Sequence, residues 1–328
     1  MPALIFPDFE TYSNSVQGID GEMRVTGRGD GAWLMNTLEL GDATLLHGVD
    51  GAPVLYRGAL HAAHFGVYLA LPGSQTQLDG QPQGEDCFTW LAPRMELHGF
   101  TRVPASFLAI DLREQLVLDH AAQIEGLEVP RLYRTGTITT TAAMVGHVTA
   151  LVQRAFDVRE RQPDAFAAAG PRQAYAAQLA AAVLQCHRRA AGEPGAARRG
   201  RPPLPRREIV SRGVQHIQRS LRGEAAFSDI AFAVGVSQRS LNRAFDDLYG
   251  MAPHHFYLIE RLHAIRGELR SPQAGDTVTS ICSRFGVWDL GRMAAQYARM
   301  FHVQPAQELA RALGERSGGT PGRPARRR

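Results

Sequence analysis

Lysine is missing from all 328 residues, so the 36 basic side chains are every one a guanidinium. A GC-rich genome and selection for bidentate phosphate contacts would each produce that usage. Long apolar runs are missing too: no window approaches the roughly 18 consecutive apolar residues that a membrane span needs. The first residues, MPALIFPDFETYSNS, lack a basic region followed by an apolar stretch and a small-residue cleavage site. A cytoplasmic, nucleoid-associated protein is therefore expected. Cysteine is scarce, and Cys87, Cys186 and Cys282 are odd in number and far apart. They form neither a disulfide framework nor a zinc motif and read as buried or incidental thiols, with redox sensing as the alternative.

The marks of catalysis are equally sparse. There is no phosphate-cradling glycine loop, no nucleophile elbow and no cysteine with a convincing histidine partner. No catalytic residue and no cofactor are assigned, and the chain is not expected to be an enzyme. The nearest approach to a metal site is His61 with His64. Their spacing is not the alternation that points two rings to one side of a strand, and no glutamate follows closely, so no metal is expected. Trp33, Phe65, Tyr68, Phe88 and Trp90 read as core, with the lining of a small-molecule pocket as the alternative.

What is present is a charge asymmetry. The net charge of +4 is the sum of +11 over residues 198–328 and −7 over residues 1–197. A basic end of this kind suits a polyanion, and nucleic acid and anionic lipid are the two candidates. Residues 22–112 alternate short apolar runs with Gly, Pro, Asp and Asn punctuation, the texture of a β-sandwich or barrel. From about 112 to 190 the chain becomes Ala-, Leu- and Gln-rich with helical spacing. Leu179, Val183 and Cys186 share one face there, for packing within the domain or for a dimer. Residues 191–207, rich in Gly, Pro and Arg, read as a linker, and residues 315–328 as a disordered basic tail.

Between them lies an internal repeat. Ile230, Ala231, Val234 and Gly235 recur 51 residues later as Ile281, Cys282, Phe285 and Gly286. Phe245, Leu248, Tyr249 and Pro253 recur 52 residues later as Tyr297, Met300, Phe301 and Pro305. Each copy reads as a short helix, a glycine turn and a second helix with an aromatic anchor. In the first copy Ser228 and Ser237 are candidate N-caps. Its second helix sets Leu241, Ala244, Phe245 and Leu248 opposite Gln238, Arg239, Asn242 and Arg243. Arg pairs bidentately with guanine, and Asn or Gln with adenine, so the polar side is a candidate base-reading face. A stripe of Phe256, Ile259, Leu262, Ile265 and Leu269 predicts a continuous helix joining the copies, and about 17 residues of it reach about 25 Å. His254 and His255 at its start pack or face water.

Through IAFAVGVSQRSLNRAFDDLYGMAP, the joining helix and ICSRFGVWDLGRMAAQYARMFHVQPAQEL, the chain resembles the AraC/XylS family of transcription regulators over residues 208–314. The resemblance implies that the second helix of each unit enters the major groove of double-stranded promoter or operator DNA. Gln238, Arg239, Asn242 and Arg243 then form the first reading set. In the second unit the positions matching Arg239, Asn242 and Arg243 are Gly291, Ala294 and Ala295, which predicts poor reach to bases. Asp289, Arg292, Gln296 and Arg299 remain polar there, with Arg292 and Arg299 expected on phosphates. Trp288 is expected to pack beside the turn, with stacking on a base as the alternative.

The motif WDLGRMAAQYARMF also resembles a subgroup whose front domain is a cupin-like barrel similar to that of ethanolamine-operon regulators, which agrees with the β texture of residues 22–112. The expected fold is thus α+β: an N-terminal cupin-like β-barrel with packing helices over residues 1–190, for effector binding and dimerisation, then an all-α domain of two helix-turn-helix units. The expected function is a sequence-specific transcription regulator, an activator answering to a small-molecule effector, with a homodimer and RNA polymerase as further partners and no membrane. A ligand-independent repressor, a metal-dependent cupin enzyme fused to a DNA-binding module, and a membrane-surface protein are the alternatives.

Overall fold

The computed structural model describes residues 3–16, 19–29, 31–190 and 205–317. The chain divides into two compact units, Met1–Arg207 with Ala244–Gly250, and Glu208–Arg243 with Met251–Arg328. The expected linker and tail lie largely outside the described residues. Within those two stretches helix is nevertheless seen from Arg206 and as far as Ser317.

The first unit holds strands β1 (Leu4–Phe6), β2 (Ile19–Val25), β3 (Trp33–Glu39), β4 (Ala43–Asp50), β5 (Val54–Leu60), β6 (His64–Ala70), β7 (Thr76–Leu78), β8 (Gln81–Pro82), β9 (Cys87–Leu91), β10 (Glu96–Thr101), β11 (Ala105–Arg113) and β12 (Gly136–Thr139). Its helices are α1 (Phe9–Ser13), α2 (Glu114–Ala121), α3 (Val129–Leu132), α4 (Ala142–Arg161) and α5 (Ala169–Arg189). The strands form two sheets, ordered β1-β3-β4-β11-β6-β9-β12 and β2-β5-β10-β7-β8. The expected barrel is corrected here: the two sheets stay separate among the described residues, and no strand pairing closes them into one.

The larger sheet is covered on both faces. Along β6, Phe65, Val67 and Leu69 join a core with α2, α4 and α5. Tyr68 and Ala70, pointing the other way, join Phe107, Leu78 and Leu97 between the sheets. This is why HFGVYLAL reads as an unbroken apolar run and not as the strict alternation of a half-solvated strand. The sheet is tight at β4 and β11, where a Cβ on Gly48 would lie 2.3 Å from the Phe107 ring. On the helical side, Val145, Val148, Leu151 and Val152 of α4 and Leu179, Val183 and Cys186 of α5 are buried in the same core. The α5 face that suited either a dimer or the chain's own core is thus spent on the core. Trp90 is fully buried, and its indole N–H donates to the carbonyl of Leu132 at 2.7 Å, leaving no orphaned donor.

The remaining helices are α6 (Arg206–Leu221), α7 (Ile230–Val234), α8 (Gln238–Tyr249), α9 (Pro253–Arg270), α10 (Val278–Arg284), α11 (Leu290–Phe301) and α12 (Pro305–Ser317). Proline opens α9 in its first turn, where a missing N–H costs nothing. Its predicted stripe, Phe256, Ile259, Leu262, Ile265 and Leu269, is buried throughout. The last three of these residues pack with Ile281 and Cys282 of α10, Met293, Tyr297 and Phe301 of α11, and Leu309 of α12.

Candidate DNA interface

The turn that orients the first reading helix depends on Gly235, which caps α7 in the left-handed region at φ 76°. Ser237 then caps α8: its Oγ accepts from the Ser240 backbone N–H at 3.1 Å. Ser228 does not cap α7. A 3-10 turn, Phe227–Asp229, intervenes, and the Ser228 hydroxyl donates to Asp229 instead.

Gln238, Arg239, Asn242 and Arg243 all lie exposed on α8, while Leu241, Ala244, Phe245 and Leu248 are buried on the opposite side. Gln238 Nε2 donates to Asn242 Oδ1 at 2.8 Å, which sets the two amides in one row.

In the second unit Thr277 and Ser280 form a reciprocal capping box at the start of α10. Gly286 makes the turn at φ 66°. Asp289 caps α11, its Oδ1 accepting from the Arg292 N–H at 2.9 Å, so this carboxylate faces the helix end. Arg292 and Arg299 are exposed and Gln296 is half-buried, spaced at four and three residues along one face. The helix is held rigidly from below. Tyr297 donates its hydroxyl to the buried Glu308, Arg266 Nε donates to Glu308 Oε1 at 3.1 Å, and the Arg266 guanidinium lies 4.3 Å from the centroid of the Phe301 ring.

A second placement also departs from expectation. Trp288 does not pack beside the turn; it is 81% exposed. Its neighbour Val287 takes the buried place, with its N–H bonded to the Cys282 carbonyl at 3.0 Å. No sequence pattern marks this, because a tryptophan two residues past a glycine turn is as compatible with core as with surface.

The guanidinium groups divide by availability. Arg284 is bound to Glu268 at 2.5 Å and to Asp276, so its charge is already answered. Arg239, Arg243, Arg292 and Arg299 make no ion pair among the described residues. Free, exposed guanidinium on a helix face is what a phosphate or a guanine edge engages.

The N-terminal unit, within Met1–Arg207, offers chemistry of another kind. His64 Nδ1 lies 2.5 Å from Asp111 Oδ1, whereas His61 is exposed. Among the described residues no group of three or more His, Cys, Asp or Glu side chains gathers where a metal could be held. Asp50 is fully buried and accepts from the Tyr12 hydroxyl at 2.9 Å and from Tyr56. Burial pushes its carboxyl up to about 7, against the opposing hydrogen bond from Tyr12. His187 is buried edge-on to Trp90 with neither ring nitrogen hydrogen-bonded. Burial, aided by the Arg131 charge, pulls it down to about 4. Of the five aromatic candidates, Phe65, Phe88, Trp90 and Tyr68 are core; Trp33 is half-buried against Phe9 and Tyr12. No helix among the described residues is long and apolar enough to cross a membrane.

Residues 214–311 match the family described as "Helix-turn-helix domain". The chain is also 33% identical over 110 residues to the "Probable thc operon regulatory protein" of Rhodococcus erythropolis, a match covering 33% of this chain and 32% of that protein. It thus spans about a third of the length of that curated relative. Among solved structures, ToxT from Vibrio cholerae O395 aligns with 91% of this chain and 100% of its own at 9% identity and a TM-score of 0.28. The unsaturated fatty acid bound wild-type ToxT from Vibrio cholerae strain SCE256 aligns with 90% of this chain and 95% of its own at 8% identity and a TM-score of 0.28. With its two capped units and its turn glycines, the C-terminal part of the chain holds a helix-turn-helix domain.

Proposed function

We propose that the chain is a sequence-specific transcription regulator in which α8 reads bases and α11 supplies grip and register. The observation that carries this reading is the row of Gln238, Arg239, Asn242 and Arg243, exposed over a buried apolar side. These are the side chains that discriminate guanine and adenine in the major groove. On α11 the corresponding surface has Gly291 and Ala295 exposed, so Arg292 and Arg299 act on the backbone. The domain division extends this proposal: residues 1–190 form the effector-binding and dimerisation part and residues 208–314 the DNA-binding part.

The regulator is an activator that contacts RNA polymerase and works as a homodimer. A small molecule bound by the first part shifts it between conformations that present the two units differently, because a ligand moves only an equilibrium between states that it binds unequally.

The test is to enrich duplexes from a random-sequence pool with the full-length protein and then to compare variants on the enriched site. Arg243→Ala should lose about 1 to 3 kcal/mol there and relax the preference at one position. Arg292→Ala should lower the slope of affinity against salt with little change in preference. Equal loss by Arg243→Ala on enriched and random duplexes would remove base reading from α8. A panel of metabolites that shifts neither melting temperature nor affinity would remove the effector.

A further inference from the structure

A solvent-facing indole is unusual, because tryptophan carries one of the largest apolar surfaces of any side chain. Trp288 is 81% exposed, whereas Trp33 is half-buried and Trp90 fully buried. Its exposure is imposed by the backbone on either side. Gly286 turns the chain, the Val287 N–H is tied to the Cys282 carbonyl, and the Asp289 side chain holds the first turn of α11. With Val287 turned into the core and Asp289 fixed as the cap, the indole between them has only the outward direction.

That direction is the N-terminal end of the second recognition helix, the end whose residues meet base edges when such a helix lies in the major groove. The surface beside it is low: Gly291 and Ala295 are exposed and small, and Arg292 is exposed and not ion-paired among the described residues. A flat helix face lets the backbone approach a duplex closely, a free guanidinium holds it there, and a protruding aromatic is then the first side chain to reach the groove floor. Apolar side chains read thymine through its methyl group.

We infer that Trp288 is a DNA-contacting residue of the second unit, its indole packing against a thymine methyl in the major groove. This rests on the chain being a DNA-binding regulator, and it assigns to the second unit a base contact that Gly291, Ala294 and Ala295 do not provide.

The experiment uses the full-length protein and the duplex that it enriches from a random-sequence pool. Trp288→Ala should weaken binding to that duplex about tenfold, the size of one base contact, with little change in melting temperature because the side chain is largely exposed. Replacing thymines with deoxyuridine one at a time removes single methyl groups. One such position should weaken the wild type and leave Trp288→Ala unaffected. Adding the duplex should quench and blue-shift the tryptophan emission of the wild type and not that of Trp288→Phe, in which only Trp33 and Trp90 remain.

Wild-type affinity in Trp288→Ala, or a methyl effect of equal size in both proteins, overturns the contact while the regulator reading stands. Wild-type affinity together with lost activation makes Trp288 a protein-docking residue and also overturns the contact. A wild type that enriches no duplex overturns the regulator reading and the contact together.

Discussion

At the scale of the residue, two buried titratable groups of the first unit act in opposite senses over the same pH range. Asp50 holds its proton to about pH 7 in the folded chain against an ordinary value of 3.8. Its contribution to stability is therefore complete below about pH 4 and is lost as pH rises through 7. His187 stays neutral down to about pH 4 against an ordinary 6.5. Its contribution is complete above about pH 6.5 and is lost as pH falls through 4. Between pH 4 and 6.5 the two slopes oppose each other in the wild type, and each single variant should unmask the other. Relative to the wild type, Asp50→Asn should gain stability as pH rises across that window, and His187→Phe should gain as pH falls. Denaturant melts at several pH values measure both differences. Parallel curves for all three proteins would show that neither group changes its proton affinity on folding.

Elements depend on backbone conformation as much as on side chains, and two glycines separate these effects. Gly235 has φ 76°, and a Cβ there would meet nothing within 4 Å, so Gly235→Ala adds strain without any clash. The expected cost is about 1 kcal/mol, borne by the turn between α7 and α8. Gly267 lies exposed inside α9 with equally open space around a Cβ. There alanine restricts only the unfolded chain and should stabilise by about 0.5 to 1 kcal/mol. Thermal melts of the two variants should therefore move in opposite directions, and a shared direction would contradict the turn geometry.

The same elements show what could be read in advance. The helices α8 and α9 were legible because a period near 3.6 survives wherever one face is buried and the other is wet. Ser237 was legible as a cap by type and position; Ser228 was not, because the 3-10 turn before α7 leaves no trace in composition. Trp288 stayed hidden because its direction is set by the bonds of Val287 and Asp289, which no spacing rule encodes.

For the molecule as a whole, a β-rich front followed by a helical C-terminal part was visible, and whether the sheets close was not. Barrel or sandwich is decided by whether the edges of the sheets pair. Here the edges of the larger sheet are β1 and β12, short strands at Leu4–Phe6 and Gly136–Thr139 that lie outside the stretch that reads as β. The candidate site was legible to the extent that it is local. The four polar positions of α8 follow from one helix, whereas the division of arginines into paired and free required folded partners such as Glu268 and Asp276 for Arg284. The charge asymmetry belongs to this scale too: with +11 in residues 198–328, the salt dependence of binding should be steep even on random duplex.

The three cysteines, all buried, turn the chain into its own opening gauge. Burial raises the Cys186 thiol to about 11 and also raises Cys87 and Cys282, so a native molecule presents almost no thiolate to an alkylating reagent. Labelling then follows only when the structure around a given sulfur comes apart. Cys87 clocks the β9–β12 edge, Cys186 the α5 layer and Cys282 the core beneath α11. Pulsed alkylation read by peptide mass should give Cys282 a rate of its own, apart from those of Cys87 and Cys186, if the two units breathe independently. A single shared rate would mean that they open only by unfolding together.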